Sequence, residues 1–251
     1  MRIAIVGKGG NGKSTVAGTV ARLIGRVPRP VLAMDVDTLP GLSFSLGMGR
    51  VENATLPTTL AERRENEGWV MKDSPDPHEL VVQYAQAGPD NVRFLQIGKF
   101  PAAIPQASTT AFRHVLQTFD DPKWSVVIDL AAGVRQAAYG WALCASFIGI
   151  VVEPTQASVL TARRLRTLIN NRPDVHIGLI LNKLSSEHEE TELKESLALP
   201  IWAALPHSRE VAHAEQEGVA LLDLAPHSDV VTRLQTMITQ LQVHESIRSS
   251  P

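Results

Sequence analysis

Short runs of apolar, mostly β-branched residues recur along the chain and alternate with longer segments of helical periodicity. The runs are continuous, without alternating polar positions, and this is typical of strands that are covered on both faces. Strands are predicted at 3–6, 31–34, 92–97, 126–128, 147–152, 177–181 and 201–205. Strands separated by helices predict an α/β fold with a doubly wound, mostly parallel sheet flanked by helices.

Helix signals lie between and after these strands. Ser14 to Ile24 carries apolar residues at helical spacing, and Gly25 follows as a stop signal. Ser208 is suited to cap a helix that Gly218 would terminate. A last helix is predicted because Val230, Val231, Leu234, Met237, Ile238 and Leu241 share one face.

The length of 251 residues permits one large domain or two small ones. We predict a single domain over residues 1–243. The stretch at about 47–90 is rich in Pro, Glu and Asn, and it is interpreted as an irregular insertion with a helix near 77–87. Residues 244–251 are expected to form a flexible tail.

The amino-acid composition excludes several classes of function. Lys and Arg number 24 and Asp and Glu 26, so the net charge of −2 argues against a general nucleic-acid coat. The single cysteine, Cys144, excludes a disulfide framework and a Cys-rich metal site. The first residues lack the features of a leader peptide, and no apolar run reaches the ~20 residues of a membrane span. We therefore expect a cytoplasmic protein without membrane attachment.

A glycine-rich loop is predicted between the first strand and the first helix. Gly7 to Ser14 reads G-K-G-G-N-G-K-S and matches G-x-x-x-x-G-K-[ST]. In such a loop, backbone N–H groups and the helix N-terminus bind phosphate oxygens. Lys13 would contact the β- and γ-phosphates, and the Ser14 hydroxyl would ligate Mg²⁺. The predicted nucleotide-binding residues are Gly9, Gly10, Asn11, Gly12, Lys13, Ser14 and Thr15.

A dinucleotide-binding alternative uses the same glycines. Gly7, Gly9 and Gly12 also satisfy G-x-G-x-x-G, and Asp35 ends the second strand where a ribose-binding acid would lie. That alternative leaves Lys13 without a role, and it does not predict the acidic strand end at Asp129. The phosphate-loop interpretation is therefore preferred.

Asp129 follows the predicted strand at 126–128. An acid at the end of a buried strand is the expected second partner of Mg²⁺ beside a phosphate loop. Gly133, four residues later, could offer its N–H to the γ-phosphate.

The second lysine of the loop, Lys8, gives the pattern K-G-G-x-G-K-[ST]. It resembles the deviant Walker A motif of the MinD/ParA/ArsA/nitrogenase iron-protein class. Asp35 to Asp37 resembles that class's D-x-D, Asp129 to Gly133 its D-x-x-x-G switch, and Asn182-Lys183 its base-binding segment. The resemblance covers nearly the whole chain. It implies a P-loop nucleotide hydrolase fold of the SIMIBI class, ATP or ADP with Mg²⁺, and an ATP-dependent homodimer.

The resemblance also implies residue roles. Lys8, Lys13 and Asp37 would be catalytic, with Lys8 reaching the other subunit's phosphates and Asp37 positioning or activating water. Asp35 would support Mg²⁺ through water, beside Ser14 and Asp129. Asn182 would bind the base. The chain is expected to be an ATPase with slow, partner-stimulated turnover.

Within the class, the chain is most similar to CooC-type accessory ATPases, through Asp35 to Gly47, Ala131 to Val134 and Val152 to Ser158. The implied function is maturation of a metalloenzyme or assembly of a client protein. Two departures stand out. The stretch 98–108 has no cysteine where that family carries C-x-C, so its metal site is absent, and Asn11 replaces the usual valine.

Three other functions remain open. A positioning or partition ATPase could bind DNA or a partner protein, with Arg163, Arg164, Arg166 and Arg172 as a basic patch. A non-hydrolysing, nucleotide-dependent scaffold fits the same motifs. A ligase related to amidotransferase synthetases is disfavoured, because the chain has no room for a glutaminase domain. The spacing of His207, His213 and His227 does not indicate a metal site.

Overall fold

The computed structural model describes residues 1–27, 29–38, 41–98, 105–138, 140–169 and 174–248. Ten strands lie in these ranges: β1 (Arg2–Gly7), β2 (Val31–Asp35), β3 (Ala61–Arg64), β4 (Gly68–Met71), β5 (Gln86–Ala87), β6 (Val92–Gln96), β7 (Ser125–Asp129), β8 (Phe147–Val152), β9 (His176–Leu184) and β10 (Ile201–Pro206). All seven strands predicted from apolar runs are present.

Eight strands form one sheet in the order β10-β9-β8-β1-β7-β2-β6-β5, in which only β5 runs antiparallel to its neighbour. The predicted doubly wound, mostly parallel sheet is therefore confirmed. The chain leaves β1 towards β2 on one side and later returns to β8 on the other. In open parallel sheets, ligands bind at the carboxyl ends of strands where the order reverses in this way.

The helices are α1 (Lys13–Gly25), α2 (Leu42–Ser45), α3 (Pro77–Tyr84), α4 (Pro105–Thr118), α5 (Arg135–Ala138), α6 (Gln156–Ile169), α7 (Glu187–Leu197), α8 (Arg209–Glu217), α9 (Leu221–Leu224) and α10 (Asp229–Arg248). They cover both faces of the sheet. One core lies under α3 to α7, around Phe112 and Ile128. The other lies under α1, α2 and α8 to α10, around Ile5 and Phe94. Burial on both faces explains why the strands are continuously apolar.

The predicted helix caps agree with the structure. Ser208 accepts a hydrogen bond from the Val211 N–H at the start of α8, and Gly218 ends the helix at φ 66°. The last helix extends further than predicted, to Arg248, so five residues of the expected tail are helical. Residues 249–251 lie outside the described residues.

The segment at 47–90 contains more regular structure than predicted. The expected helix at 77–87 ends at Tyr84, and the short strand β5 follows. Strands β3 and β4 form an antiparallel hairpin that contacts α4. Polar residues dominate β3, which reads A-E-R-R, so the apolar pattern that marks the other strands is missing. None of the described helices is long and apolar enough to cross a membrane.

Candidate functional site

The glycine-rich loop joins the carboxyl end of β1 to α1. Gly12 precedes the helix at φ 85°, and a Cβ there would lie 2.5 Å from the Asn182 side-chain nitrogen. A Cβ on Gly7 would lie 2.6 Å from the Val151 carbonyl oxygen. Only glycine fits both positions. Gly12 leaves the N-terminus of α1 without a side-chain cap, so its N–H groups are open to an anion.

Two lysines flank this loop. Lys13 is 8% exposed, and its Nζ donates to the Lys8 carbonyl oxygen at 3.4 Å. Lys8 is half-buried, and its Nζ lies 3.3 Å from the Gly9 carbonyl oxygen. Weak bonds to loop carbonyls keep both amines at the loop and leave their remaining N–H donors for a phosphate.

Two buried carboxylates end the neighbouring strands. Asp35 on β2 and Asp129 on β7 are paired in register, and they are 0% and 3% exposed. The Asp35 carboxylate accepts hydrogen bonds from the N–H groups of Asp37 at 2.9 Å and Leu42 at 3.1 Å. Asp129 interacts with the Ser14 hydroxyl and with Lys13. The structure thus brings Lys13, Ser14, Asp35 and Asp129 together as predicted.

The electrostatics of this pair favour a cation. The pKa of Asp129 is raised to about 7, mainly by burial and also by the nearby Asp35, while Ser14 and Lys13 lower it. The pKa of Asp35 is raised to about 6, mainly by burial, although hydrogen bonds from the backbone N–H groups of Asp37, Leu42 and Gly41 lower it. Asp129 Oδ1 has no hydrogen-bond partner among the described residues. A free acceptor oxygen beside a second carboxylate and a hydroxyl suits Mg²⁺, which prefers oxygen ligands.

Gly133 and Asp37 lie at the same edge of the sheet. The Gly133 N–H donates to the Gly7 carbonyl oxygen at 3.0 Å, so it must leave that bond before it can contact a phosphate. Asp37 is half-buried and comes two residues after Asp35. Both are therefore within the segments that surround the glycine-rich loop.

A cavity of about 210 Å³ extends from the loop towards β9, β10 and α8. Its lining includes Gly12, Asn182, Pro206, Ser208, Val211 and Glu215. The Asn182 amide nitrogen donates to the Asn11 carbonyl oxygen at 2.8 Å. This bond uses one of the two N–H donors of that nitrogen and fixes the orientation of the amide, so the Asn182 oxygen is the group of this amide that can accept a hydrogen bond from a ligand.

Asn11, which replaces the valine usual in the resembling class, is fully buried. Its side-chain nitrogen donates to the Val151 carbonyl oxygen at 2.9 Å and to the Ser158 hydroxyl at 2.7 Å. These bonds tie the loop to the end of β8 and the start of α6. The polar side chain is therefore accommodated by partners that the sequence pattern alone did not indicate.

Two contacting residues were not predicted as site residues. Glu215 accepts a hydrogen bond from the Thr15 hydroxyl at 3.2 Å, across 200 positions of sequence. Lys183 donates to the Gly10 carbonyl oxygen at 2.8 Å and pairs with Glu153 at 2.5 Å. The Asn182-Lys183 motif was a signal for Lys183, whereas no local pattern marked Glu215.

Part of the arginine patch that was considered for DNA binding forms hydrogen bonds within the protein. Arg163 donates to the Ser196 hydroxyl at 2.8 Å and Arg166 to the Leu197 carbonyl oxygen at 2.8 Å, both at the end of α7. Arg172 lies outside the described residues, as do positions 99–104 of the stretch without C-x-C. Among the described residues, no group of three or more His, Cys, Asp or Glu is arranged for a metal ion.

Comparison with known proteins gives a family match over most of the chain. A family model described as the CobQ/CobB/MinD/ParA nucleotide binding domain matches residues 3–222. An uncharacterised ATP-binding protein of Methanocaldococcus jannaschii is 28% identical over 237 residues, which cover 86% of this chain and 88% of that protein. The carbon monoxide dehydrogenase accessory protein CooC of Rhodospirillum rubrum is 28% identical over 247 residues, or 90% and 91% of the two chains.

Solved structures share the fold. The septum site-determining protein MinD of Pyrococcus horikoshii, solved with Mg-ADP, has a TM-score of 0.76 at 20% identity and covers 100% of this chain and 99% of its own. A ParA family ATPase from Chlorobium tepidum has a TM-score of 0.70 at 19% identity, with 96% and 98% coverage.

Proposed function

Because the chain belongs to the CobQ/CobB/MinD/ParA family of nucleotide-binding domains, we propose that it is a Mg²⁺-dependent ATPase that works as a dimeric switch. ATP binds at the glycine-rich loop and brings two copies together, and hydrolysis releases them. The switch changes the affinity of the dimer for a client protein. This function fits relatives that are named as ATP-binding proteins and that match along most of their length.

One observation carries the proposal. Lys13, Ser14, Asp35 and Asp129 come from three separate segments, and the fold places them around a single uncapped helix N-terminus. A buried lysine and an anion-binding helix end suit a polyphosphate, and two buried carboxylates suit its metal ion. A dinucleotide site would need neither the lysine nor the second carboxylate, so this set favours a nucleoside triphosphate.

Catalysis would consist of positioning and charge neutralisation. Water attacks the γ-phosphorus as the bond to the β–γ bridging oxygen breaks, which yields ADP and phosphate. Lys13 holds the β- and γ-phosphate oxygens, and Asp37 orients the water and accepts its proton. Asp35, Asp129 and Ser14 would hold Mg²⁺, which neutralises phosphate charge when bound. Lys8 places its positively charged ammonium group beside the phosphates bound to the partner subunit.

The cavity beside the loop would select adenine. Adenine offers an amino group as donor where guanine offers a carbonyl acceptor, and the side-chain oxygen of Asn182 would accept a hydrogen bond from that amino group. Glu215, which already bonds the Thr15 hydroxyl, lines the same cavity and can accept from a ribose hydroxyl. ATP is therefore preferred over GTP.

For the client protein, we propose only its general class. The relative from Rhodospirillum rubrum is named as an accessory protein of an enzyme, so assembly or maturation of a metalloenzyme is the favoured role. Metal delivery through a C-x-C pair has no support, because the sequence has one cysteine. Burial raises the pKa of that residue, Cys144, above its usual value, which disfavours the thiolate needed for a metal.

The direct test of the site is substitution of Lys13. Lys13→Ala should weaken Mg-ATP binding about 100-fold, because a charge-assisted contact to phosphate is worth up to about 3 kcal/mol. Lys194→Ala, on the exposed face of α7, is the matched control and should bind ATP as the wild type does. Equal affinity in the Lys13 and Lys194 variants, measured by calorimetry, would remove the proposed site.

A further inference from the structure

Gln136 on α5 connects two segments that border the nucleotide site. Its side-chain oxygen accepts a hydrogen bond from the Ala131 N–H at 2.8 Å. Its side-chain nitrogen donates to the Val36 carbonyl oxygen at 3.0 Å. One amide side chain therefore bridges the segment after β2, which carries Asp37, and the segment after β7, which leads to Gly133.

The orientation of this amide is fixed by its partners. Exchange of oxygen and nitrogen would set the amide oxygen against the Val36 carbonyl and the amide N–H₂ against the Ala131 N–H, so both bonds would be lost. The observed orientation is the one that satisfies a backbone acceptor and a backbone donor at once.

The bond to Val36 acts on Asp37 through the backbone. The Val36 carbonyl and the Asp37 N–H belong to one planar peptide group. Gln136 holds the carbonyl end of that group, and the Asp35 carboxylate holds its N–H end at 2.9 Å. A planar group that is held at both ends cannot rotate freely, so the direction in which Asp37 leaves the backbone is set in part by Gln136.

Gln136 itself is anchored by the residue that follows it. Ala137 is 5% exposed and belongs to the buried core that also includes Trp141 and Ala142. Helix α5 also contacts α6. Because the one Gln136 side chain bonds both segments from this position, a displacement of the 131–133 segment that shifts the side chain also disturbs its bond to Val36.

We infer that Gln136 is a positioning residue that couples the Asp37 segment to the 131–133 segment, so that the two rearrange together when nucleotide binds. The inference rests on the proposed ATPase function for its effect on turnover, while the coupling itself is a property of the ligand-free chain. Gln136 does not contact the reacting atoms in this account and acts through the backbone of both segments.

Three variants of the full-length chain test the coupling. Gln136→Met keeps a similar volume and removes both hydrogen bonds. Gln136→Glu keeps the acceptor for Ala131 but, when ionised, has no donor for Val36. Gln235→Met, on the exposed surface of α10, controls for the substitution itself. The measurements are kcat for ATP hydrolysis, the Kd for ATP, and amide hydrogen exchange of the ligand-free protein by NMR.

Gln136→Met should lower kcat about tenfold, which is the effect of about 1.4 kcal/mol and the size of a net hydrogen bond. The Kd for ATP should stay within about twofold, because the glycine-rich loop is untouched. The amides of Asp37 and Ala131 should both exchange faster. In Gln136→Glu, the Asp37 amide alone should exchange faster, with a similar fall in kcat.

The coupling is overturned if the exchange of both amides is unchanged in Gln136→Met. It is also overturned if kcat and ATP affinity fall in parallel, since that pattern indicates general loss of structure. An inactive wild type would contradict the proposed function instead, and the exchange data would still decide whether Gln136 joins the two segments.

Discussion

The two ends of the candidate nucleotide site are built differently. At the phosphate end, Lys13, Asp35 and Asp129 are charged and at most 8% exposed. At the base end, the ligand would meet the neutral amide of Asn182, while Ser208 is half-buried and Glu215 is exposed. The phosphate end lies on adjacent central strands, whereas the base end combines the outer strands β9 and β10 with α8.

Because of this difference, we expect the phosphate end to determine how tightly the nucleotide binds and the base end to determine which base is preferred. Burying a charged group costs free energy unless a ligand or an opposite charge compensates it. We therefore expect the phosphate end to bind a polyanion and its cation strongly. Single hydrogen bonds to a neutral amide contribute less, typically about 1 kcal/mol. We therefore expect large effects on stability and binding from the phosphate end, and smaller effects on base choice from the other.

The largest expected effect in the free protein is a pH dependence of stability from the buried carboxylates. Their pKa values of about 6 and about 7 exceed the ordinary 3.8, so the folded state keeps protons that the unfolded state has lost. The stabilising contribution is complete below about pH 4 and is lost as the pH rises through 6 to 7. Each pKa unit corresponds to about 1.4 kcal/mol, so unfolding should be measurably easier at pH 8 than at pH 5.

Asp129→Asn sharpens this prediction, because its amide cannot ionise. The variant should show a flatter dependence of the free energy of unfolding on pH, measured by denaturant titration without nucleotide. Asp120→Asn, at an exposed position, is the control and should retain the wild-type slope. Identical slopes in the two variants would mean that the Asp35–Asp129 pair does not carry the effect.

A smaller effect is expected at the base end. Asn182→Ala should reduce the preference for ATP over GTP by about tenfold, since one hydrogen bond to the amino group is lost. Asn182→Asp keeps the acceptor and loses the donor to Asn11, so it should retain base preference better than Asn182→Ala. Competition binding of ATP and GTP measures both. Unchanged preference in Asn182→Ala would place the base elsewhere.

The same contrast explains what could be predicted from sequence. The glycine-rich loop is eight consecutive residues, Gly7 to Ser14, whose types are dictated by local backbone geometry and charge. Asp35 and Asp129 were predictable because each ends a continuous apolar run, and parallel strands bring their carboxyl ends to one edge. The apolar runs also predicted the seven main strands, for the same reason of burial on both faces.

Other features depend on tertiary contacts that leave no local pattern. Glu215 reaches Thr15 across 200 positions. Gln136 bridges two backbone segments, and the Asn11 side chain donates hydrogen bonds to residues on β8 and α6. The hairpin of β3 and β4 was missed because its polar sequence lacks an apolar run. Such contacts are specified by the assembled fold, and a motif search cannot find them.

The central claim is an ATP-dependent dimer that hydrolysis opens, and Asp37→Ala tests it most directly. We would measure ATP turnover and solution mass together, with and without Mg-ATP, for the wild type, Asp37→Ala and Lys8→Ala. The account predicts slow turnover by the wild type, a trapped ATP-bound dimer in Asp37→Ala, and weakened dimerisation with retained ATP binding in Lys8→Ala. A wild type that binds ATP yet stays monomeric and inactive would contradict it.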